Sequence, residues 1–176
     1  MDIKLVKGTD ALKDAIYQLS ESNDFYADDV YSTLFNNPSP KLLAKLPRIL
    51  HPLLIESLHE MTKLNSPYKF VVIFAGDKLV GFCLWWINGT IEYLLVDKDY
   101  RCKGIGTKLI DFVTVWTKLK IGIGPSVCFE SSNKHLCTYY SKLGFKHFIN
   151  KPSSLKSLVI WTRWDLLPVE PTESMV

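Results

Sequence analysis

Residues 97–111, DKDYRCKGIGTKLID, set Gly104 and Gly106 one residue apart between the apolar run TIEYLLV and an amphipathic run. A strand-to-helix turn with such glycines can aim several backbone N–H groups at one anion, with the positive end of the helix dipole behind them. Its natural guest is a phosphate. Spacing rules out two kinds of phosphate binder. A Walker loop needs four residues between its first glycine and Gly-Lys-Ser/Thr, whereas here Thr107-Lys108 runs in the reverse order. A dinucleotide fingerprint needs a third glycine where Leu109 stands and an acidic residue that residues 118–124 do not offer. Spacing alone leaves a tight turn or another phosphate cradle.

Other chemistry-bearing residues exclude more than they suggest. His51 and His59 would share a helical face, but Pro52 interrupts it and His59-Glu60 lacks the H-E-x-x-H arrangement, so no metal site is expected. Cys83, Cys102, Cys128 and Cys137 form no C-x-x-C pair, which reads as reduced thiols in a cytoplasmic protein. The N-terminus has no signal-peptide h-region and no apolar run is long enough to span a membrane, so no membrane partner is expected. The net charge of +3, from 21 basic and 18 acidic residues, is spread without a basic block, and no nucleic-acid partner is expected either.

The elements that must position the turn are legible from periodicity. A hydrophobic content of 47% fills one core, so residues 1–167 read as a single domain and 168–176 as a flexible tail. A short alternating start is followed by Thr9-Asp10 as a helix cap and the helical run ALKDAIYQLSES. An acidic, aromatic link, ESNDFYADDVY, comes next. Residues 38–66, broken by Pro47 and Pro52, form a helical insertion of two or three short helices. YKFVVIFA, LVGFCLWWI and TIEYLLV read as three antiparallel strands, the last two joined by Asn88-Gly89. Beyond the glycine turn, Ile105, Leu109, Phe112, Val113 and Trp116 mark one buried helix face. PSVCFE is a further strand, 133–143 a helix closed by Gly144, and FKHFI and LKSLVIWTRW final strands. The expected class is α+β, a mostly antiparallel mixed sheet with helices on both faces.

Order along the chain sharpens the turn. Arg101-Cys102-Lys103-Gly104-Ile105-Gly106 fits Arg/Gln-x-x-Gly-x-Gly/Ala, directly after a strand and before an amphipathic helix. Residues 133–145, NKHLCTYYSKLGF, are similar to Asn-x-x-Ala-x-x-x-Tyr-x-x-x-Gly-Phe, with Leu136 in place of the small residue. Together they resemble the GNAT superfamily of N-acetyltransferases, over residues 68–164 and loosely over the first 20. The resemblance implies the acyl-CoA N-acyltransferase fold and acetyl-CoA as co-substrate. It implies that Arg101, Cys102, Lys103, Gly104, Ile105, Gly106 and Thr107 cradle the CoA pyrophosphate. Leu94, Leu95 and Val96 would offer their main chain to pantetheine, and Asn133 would contact the same arm or cap its helix.

Acyl transfer to an amine needs a base for the amine and an acid for the departing thiolate. By the resemblance Tyr140 is the acid, while its neighbour Tyr139 is a core aromatic. Glu92 and Glu130 are the alternatives for the base. Glu21, Asp24, Asp28 and Asp29, with Phe25, Tyr26 and Tyr31, would suit a small cationic amine such as a polyamine. A peptide Lys or N-terminus is the alternative acceptor, and a non-catalytic CoA-binding sensor is the alternative of another class. The insertion at 38–66 either caps the acceptor pocket or forms a homodimer surface.

Overall fold

A computed structural model describes residues 3–61, 68–130, 132–152 and 157–162. β1 (Ile3–Lys7) is followed by α1 (Lys13–Ser22), α2 (Ala27–Phe35), α3 (Pro40–Lys45) and α4 (His51–Met61). Then come β2 (Tyr68–Ala75), β3 (Lys78–Trp86), β4 (Thr90–Val96), α5 (Ile105–Ile121), β5 (Ser126–Glu130), α6 (Lys134–Lys142), β6 (Lys146–Pro152) and β7 (Ser157–Thr162). The strands form one sheet in the order β1-β2-β3-β4-β5-β7-β6. Every neighbouring pair is antiparallel except β4 with β5. This is the α+β, mostly antiparallel architecture that the sequence predicts.

Local chemistry explains the joints. At the β3–β4 hairpin the Asn88 side chain accepts from the Thr90 N–H at 3.0 Å, and Gly89 takes φ +90°, where a side chain would be strained. Two expectations are corrected. Thr9 makes no side-chain cap, and a 3-10 turn at Asp10–Leu12 precedes α1. The second half of the acidic link is helix α2, whose first turn carries Asp28 and Asp29 at the positive end of its dipole.

Each face of the sheet is closed by helices. On one side Ile16 and Leu19 of α1 and Val30 and Leu34 of α2 pack on Val72, Phe82, Leu84 and Leu95. On the other, Ile105, Leu109, Ile110 and Val113 of α5 pack with Tyr140 of α6 on Val71, Ile73, Cys83, Trp85 and Ile91. The predicted α5 face is the one used, with Phe112 and Trp116 partly buried beside it. Each such aliphatic side chain contributes roughly 1.5–3 kcal/mol of burial, so a short α5 contact is worth protecting.

Gly81 on β3 is what allows that contact. A β-carbon there would sit 3.0 Å from the Leu95 carbonyl oxygen and 3.4 Å from both Ile105 Cγ2 and Leu109 Cδ1. Gly81→Val is therefore expected to lower the unfolding free energy by about 1–3 kcal/mol through overpacking. Urea titration of the purified variant reads this directly, and an unchanged midpoint would contradict so close an approach of α5 to the sheet.

Candidate active site

β4 and β5 are joined only at Thr90–Ser126 and Ile91–Val127. Past that point they part. The cause lies in β4, where Leu84 pairs with Tyr93 and Trp85 with Ile91, leaving Glu92 as the extra residue of a bulge. A bulge bends and twists its strand, and it also breaks the side-chain alternation. Ile91 and Leu94 accordingly face α5, whereas Tyr93 and Leu95 face α1 and α2. Simple period two therefore does not carry Glu92 onto the face of Leu94 and Val96.

The parting leaves a cleft of 610 Å³. Ile91, Glu92, Tyr93 and Leu94 line one wall, and Val127, Cys128 and Phe129 the other. Asn133, Leu136 and Tyr140 come from the α6 segment, and Phe25, Tyr26 and Asp29 from the α1–α2 segment. The Leu95 carbonyl lies toward β3 beside Gly81. Alternation then turns the amides of Leu94 and Val96 to the side that β5 has left.

Inside the cleft, Tyr140 is buried, stacked on Phe129 at 5.4 Å and edge-on to Phe145 at 5.2 Å. Burial, with lesser contributions from Cys83 and Tyr139, pushes its hydroxyl pKa well above the tyrosine range. Its proton therefore stays on the oxygen at every physiological pH. Glu92 is exposed and held by the Trp86 indole, whose Nε1 donates to Oε2 at 3.0 Å. The second carboxylate oxygen is not engaged by that bond. The Glu130 side chain lies outside the described residues. Asn133 caps α6 by accepting from the Leu136 N–H at 3.1 Å, which leaves its amide nitrogen as the group it can offer a ligand.

The acidic residues of the link divide. Glu21 is bound by Lys41 at 2.5 Å and by the Tyr17 hydroxyl at 2.6 Å, and Asp28 accepts from Ser39. These two hold α3 against α1 and α2. Asp29 is the link carboxylate that lines the cleft, beside Tyr26 and Phe25. Tyr93, which periodicity marks only as a strand residue, lines it too, and burial raises its pKa.

At the far end of β4 stands the glycine turn. Gly104 is the N-cap of α5 at φ +76°, and no side chain caps this helix. The first helical hydrogen bond runs from Lys108 N to Gly104 O, so the N–H groups of Ile105, Gly106 and Thr107 have no helical acceptor. A β-carbon on Gly104 would meet nothing within 4 Å, so the space above the turn is open. Cys102 also adopts a left-handed conformation, at φ +59°. Arg101 and Lys103 are engaged within the loop. Arg101 Nε donates to Val96 O at 3.1 Å and Lys103 Nζ to Asp99 O at 3.1 Å.

Two residues support this turn. A β-carbon on Gly106 would collide with Tyr139 Oη at 2.6 Å, so Gly106 makes room for a tyrosine that braces the turn from α6. The other is Asp97, buried at the loop entrance, which accepts from Asp99 N at 2.9 Å and meets Lys78 Nζ at 3.2 Å. Burial alone would raise its pKa, but the Asp99 N–H and the Lys78 ammonium outweigh it and hold the carboxyl below its ordinary value.

A family model described as Acetyltransferase (GNAT) family matches residues 31–145, which take in the glycine turn and the cleft walls from β4, β5 and α6, but not Phe25, Tyr26 or Asp29. The chain belongs to this acetyltransferase family. Solved structures agree on the GNAT fold. Ribosomal-protein-S18-alanine N-acetyltransferase from Escherichia coli aligns over 97% of this chain and 100% of its own, at 13% identity and a TM-score of 0.61. PaiA N-acetyltransferase from Thermoplasma acidophilum, solved with coenzyme A, aligns over 92% and 99%, at 17% identity and 0.59. A Bacillus anthracis protein solved with acetyl coenzyme A aligns over 58% of this chain and 65% of its own, at 23% identity and 0.52. No curated protein matches the sequence significantly. Among the described residues of this GNAT chain no group of three His, Cys, Asp or Glu could hold a metal, and no helix is long and apolar enough to cross a membrane.

Because the Asp97 carboxyl is held low, its contribution to stability is present above about pH 4 and is lost as pH falls through its lowered folded value. Asp97→Asn should destabilise the protein by about 1–3 kcal/mol at pH 7 and flatten the acid side of the stability profile. Denaturant midpoints of both proteins between pH 3 and pH 7 test this; parallel curves would remove Asp97 from the account.

Proposed function

We propose that this chain transfers an acetyl group from acetyl-CoA to the primary amine of a small cationic molecule. The observation that carries the reading is a cleft that brings together an unpaired strand edge, a buried tyrosine and two carboxylates, with the uncapped start of α5 following the end of the same strand β4.

The residues fit acetyl-CoA without added side-chain charge. The free N–H groups at 105–107, under open space at Gly104, would hold the pyrophosphate at the positive end of α5. Leu94 would pair its main chain with the pantetheine arm, and Asn133 would offer its amide nitrogen. Bound acetyl-CoA supplies a thioester whose C–S bond breaks as the amine nitrogen forms the C–N bond. Glu92, oriented by Trp86, would take the proton the amine gives up, directly or through water. Tyr140, whose proton burial retains, would donate a hydrogen bond to the departing sulfur. Asp29 with the faces of Tyr26 and Phe25 would attract a cation to the open side.

The test is CoA release with polyamines, amino acids, aromatic amines and Lys-containing peptides. Turnover on the small cations is expected. Gly104→Glu should abolish it, Tyr140→Phe should lower kcat by about a hundredfold, and Asp29→Asn should raise KM for the amine with kcat little changed. Since Tyr140 keeps its proton, the acid limb of the pH–rate profile should survive in Tyr140→Phe. Preference for peptides would transfer the reading to a protein acceptor, and binding of acetyl-CoA without turnover on any amine would make the chain a sensor.

A further inference from the structure

Tyr26 is held in a conformation that a tyrosine rarely accepts. It stands at the N-cap of α2 with φ +39° and ψ +38°, in the left-handed region where a β-carbon crowds the following carbonyl. The turn from α1 into α2 contains a second such residue, Asp24 at φ +52°, and α2 ends on a third, Asn36 at φ +54°. Aspartate and asparagine tolerate this region, and glycine enters it freely. A bulky aromatic there is an outlier.

Folding gains little from this ring. Tyr26 is 66% exposed, and among the described residues its hydroxyl makes no hydrogen bond and its ring packs only edge-on to Phe25, at 5.2 Å. What the conformation does is set the ring on the acyl-transfer cleft. Phe25, Tyr26 and Tyr93 line that one cavity, Phe25 standing at 78° to Tyr26 and at 81° to Tyr93, so the three rings offer it differently oriented surfaces. Asp29, three residues on in α2, brings a carboxylate to the same cavity. A strained residue persists where a demand other than folding holds it. Ring faces beside a carboxylate meet the demand of a cation.

We propose that Tyr26 is a specificity-determining residue of the acceptor site, its left-handed backbone setting the ring as a cation–π wall for an ammonium group that keeps its charge beside Asp29. The inference rests on the reading of the cleft as the site of a cationic amine. It adds to that reading a residue that selects the acceptor through a nitrogen other than the reacting one. The turn gives up folding stability at Tyr26, and acceptor binding gains an aromatic face.

Three variants separate ring from strain. Tyr26→Phe keeps both, Tyr26→Ala removes the ring and keeps the strain, and Tyr26→Gly removes both. In urea, the midpoint of Tyr26→Gly should lie about 0.5 M above that of Tyr26→Ala. Calorimetry of 1,4-diaminobutane with the CoA-loaded protein reads acceptor binding without turnover. Tyr26→Ala and Tyr26→Gly should each weaken the diamine about fivefold, and Tyr26→Phe should bind it as the wild type does. Equal midpoints for Tyr26→Gly and Tyr26→Ala remove the strain and overturn the proposal. Equal diamine affinity in the wild type and Tyr26→Gly, or a loss in Tyr26→Phe as large as in Tyr26→Ala, also overturns it and leaves the acceptor reading standing. A wild-type protein that does not bind the diamine overturns both.

Discussion

The parallel pairing of β4 with β5 ends after two residue pairs, and much of the molecule is arranged around that ending. Backbone N–H and C=O groups cannot be left dry and unpaired, so two strands that part inside a sheet must give their free edges to water or to a ligand. Among the described residues no further strand fills the gap. β5 keeps its full register with β7 on the far side, from Ser126–Thr162 to Glu130–Leu158, which leaves the opening confined to one edge of each strand. The bulge at Glu92 fixes where the parting starts. It also explains how an acidic side chain comes to the cleft while its neighbours Ile91 and Tyr93 remain on opposite faces of the core.

The glycine turn obeys a related constraint. Two helix starts are closed by their own side chains, Ser39 for α3 and Asn133 for α6, whereas those of α1 and α2 have no side-chain cap. α5 is not closed in this way, so its donors remain available to an anion from outside. Such a turn needs support from below. Asp97 ties it to β3 through Lys78, and the ammonium groups of Lys78 and Lys103 both lie over the Tyr100 ring, at 4.9 and 4.8 Å from its centre. Tyr139 braces it at Gly106. With Arg101 bound to the Val96 carbonyl at the end of β4 and Lys103 to the Asp99 carbonyl, the charge of this region stiffens the turn, and direct recognition is left to the main chain.

The sequence carried the strands, the α5 face and the turn because each is a local pattern. Alternation in 68–75 and the Asn88-Gly89 turn need no distant partner, and neither does the spacing of Ile105, Leu109 and Val113. What it did not carry depends on register. Nothing in TIEYLLV announces that Glu92 is an extra residue, since a bulge is a relation between two strands. Glu21, Asp28 and Asp29 look alike in a string of acids, yet Lys41 and Ser39 come from a segment beyond the link and claim the first two. Tyr139 and Tyr140 are distinguishable by motif spacing, but the brace that Tyr139 makes on Gly106 exists only once α6 is packed against α5.

That division of the acids bears on how a charged amine could react here. An ammonium group cannot attack a carbonyl, and a carboxylate beside it strengthens its hold on the proton. Asp29 would therefore hinder the reaction if it sat against the reacting nitrogen. The deeper lining of Ile91, Leu94, Phe129 and Tyr140 is apolar and favours the neutral amine. On the proposed reading the two demands are met together by an acceptor with two separated nitrogens. One remains charged at Asp29 and the aromatic faces beside it, while the other loses its proton toward Glu92 as it enters the apolar part. The same argument disfavours a lone ammonium on a short chain, which would be held at the mouth of the cleft by the group that attracts it.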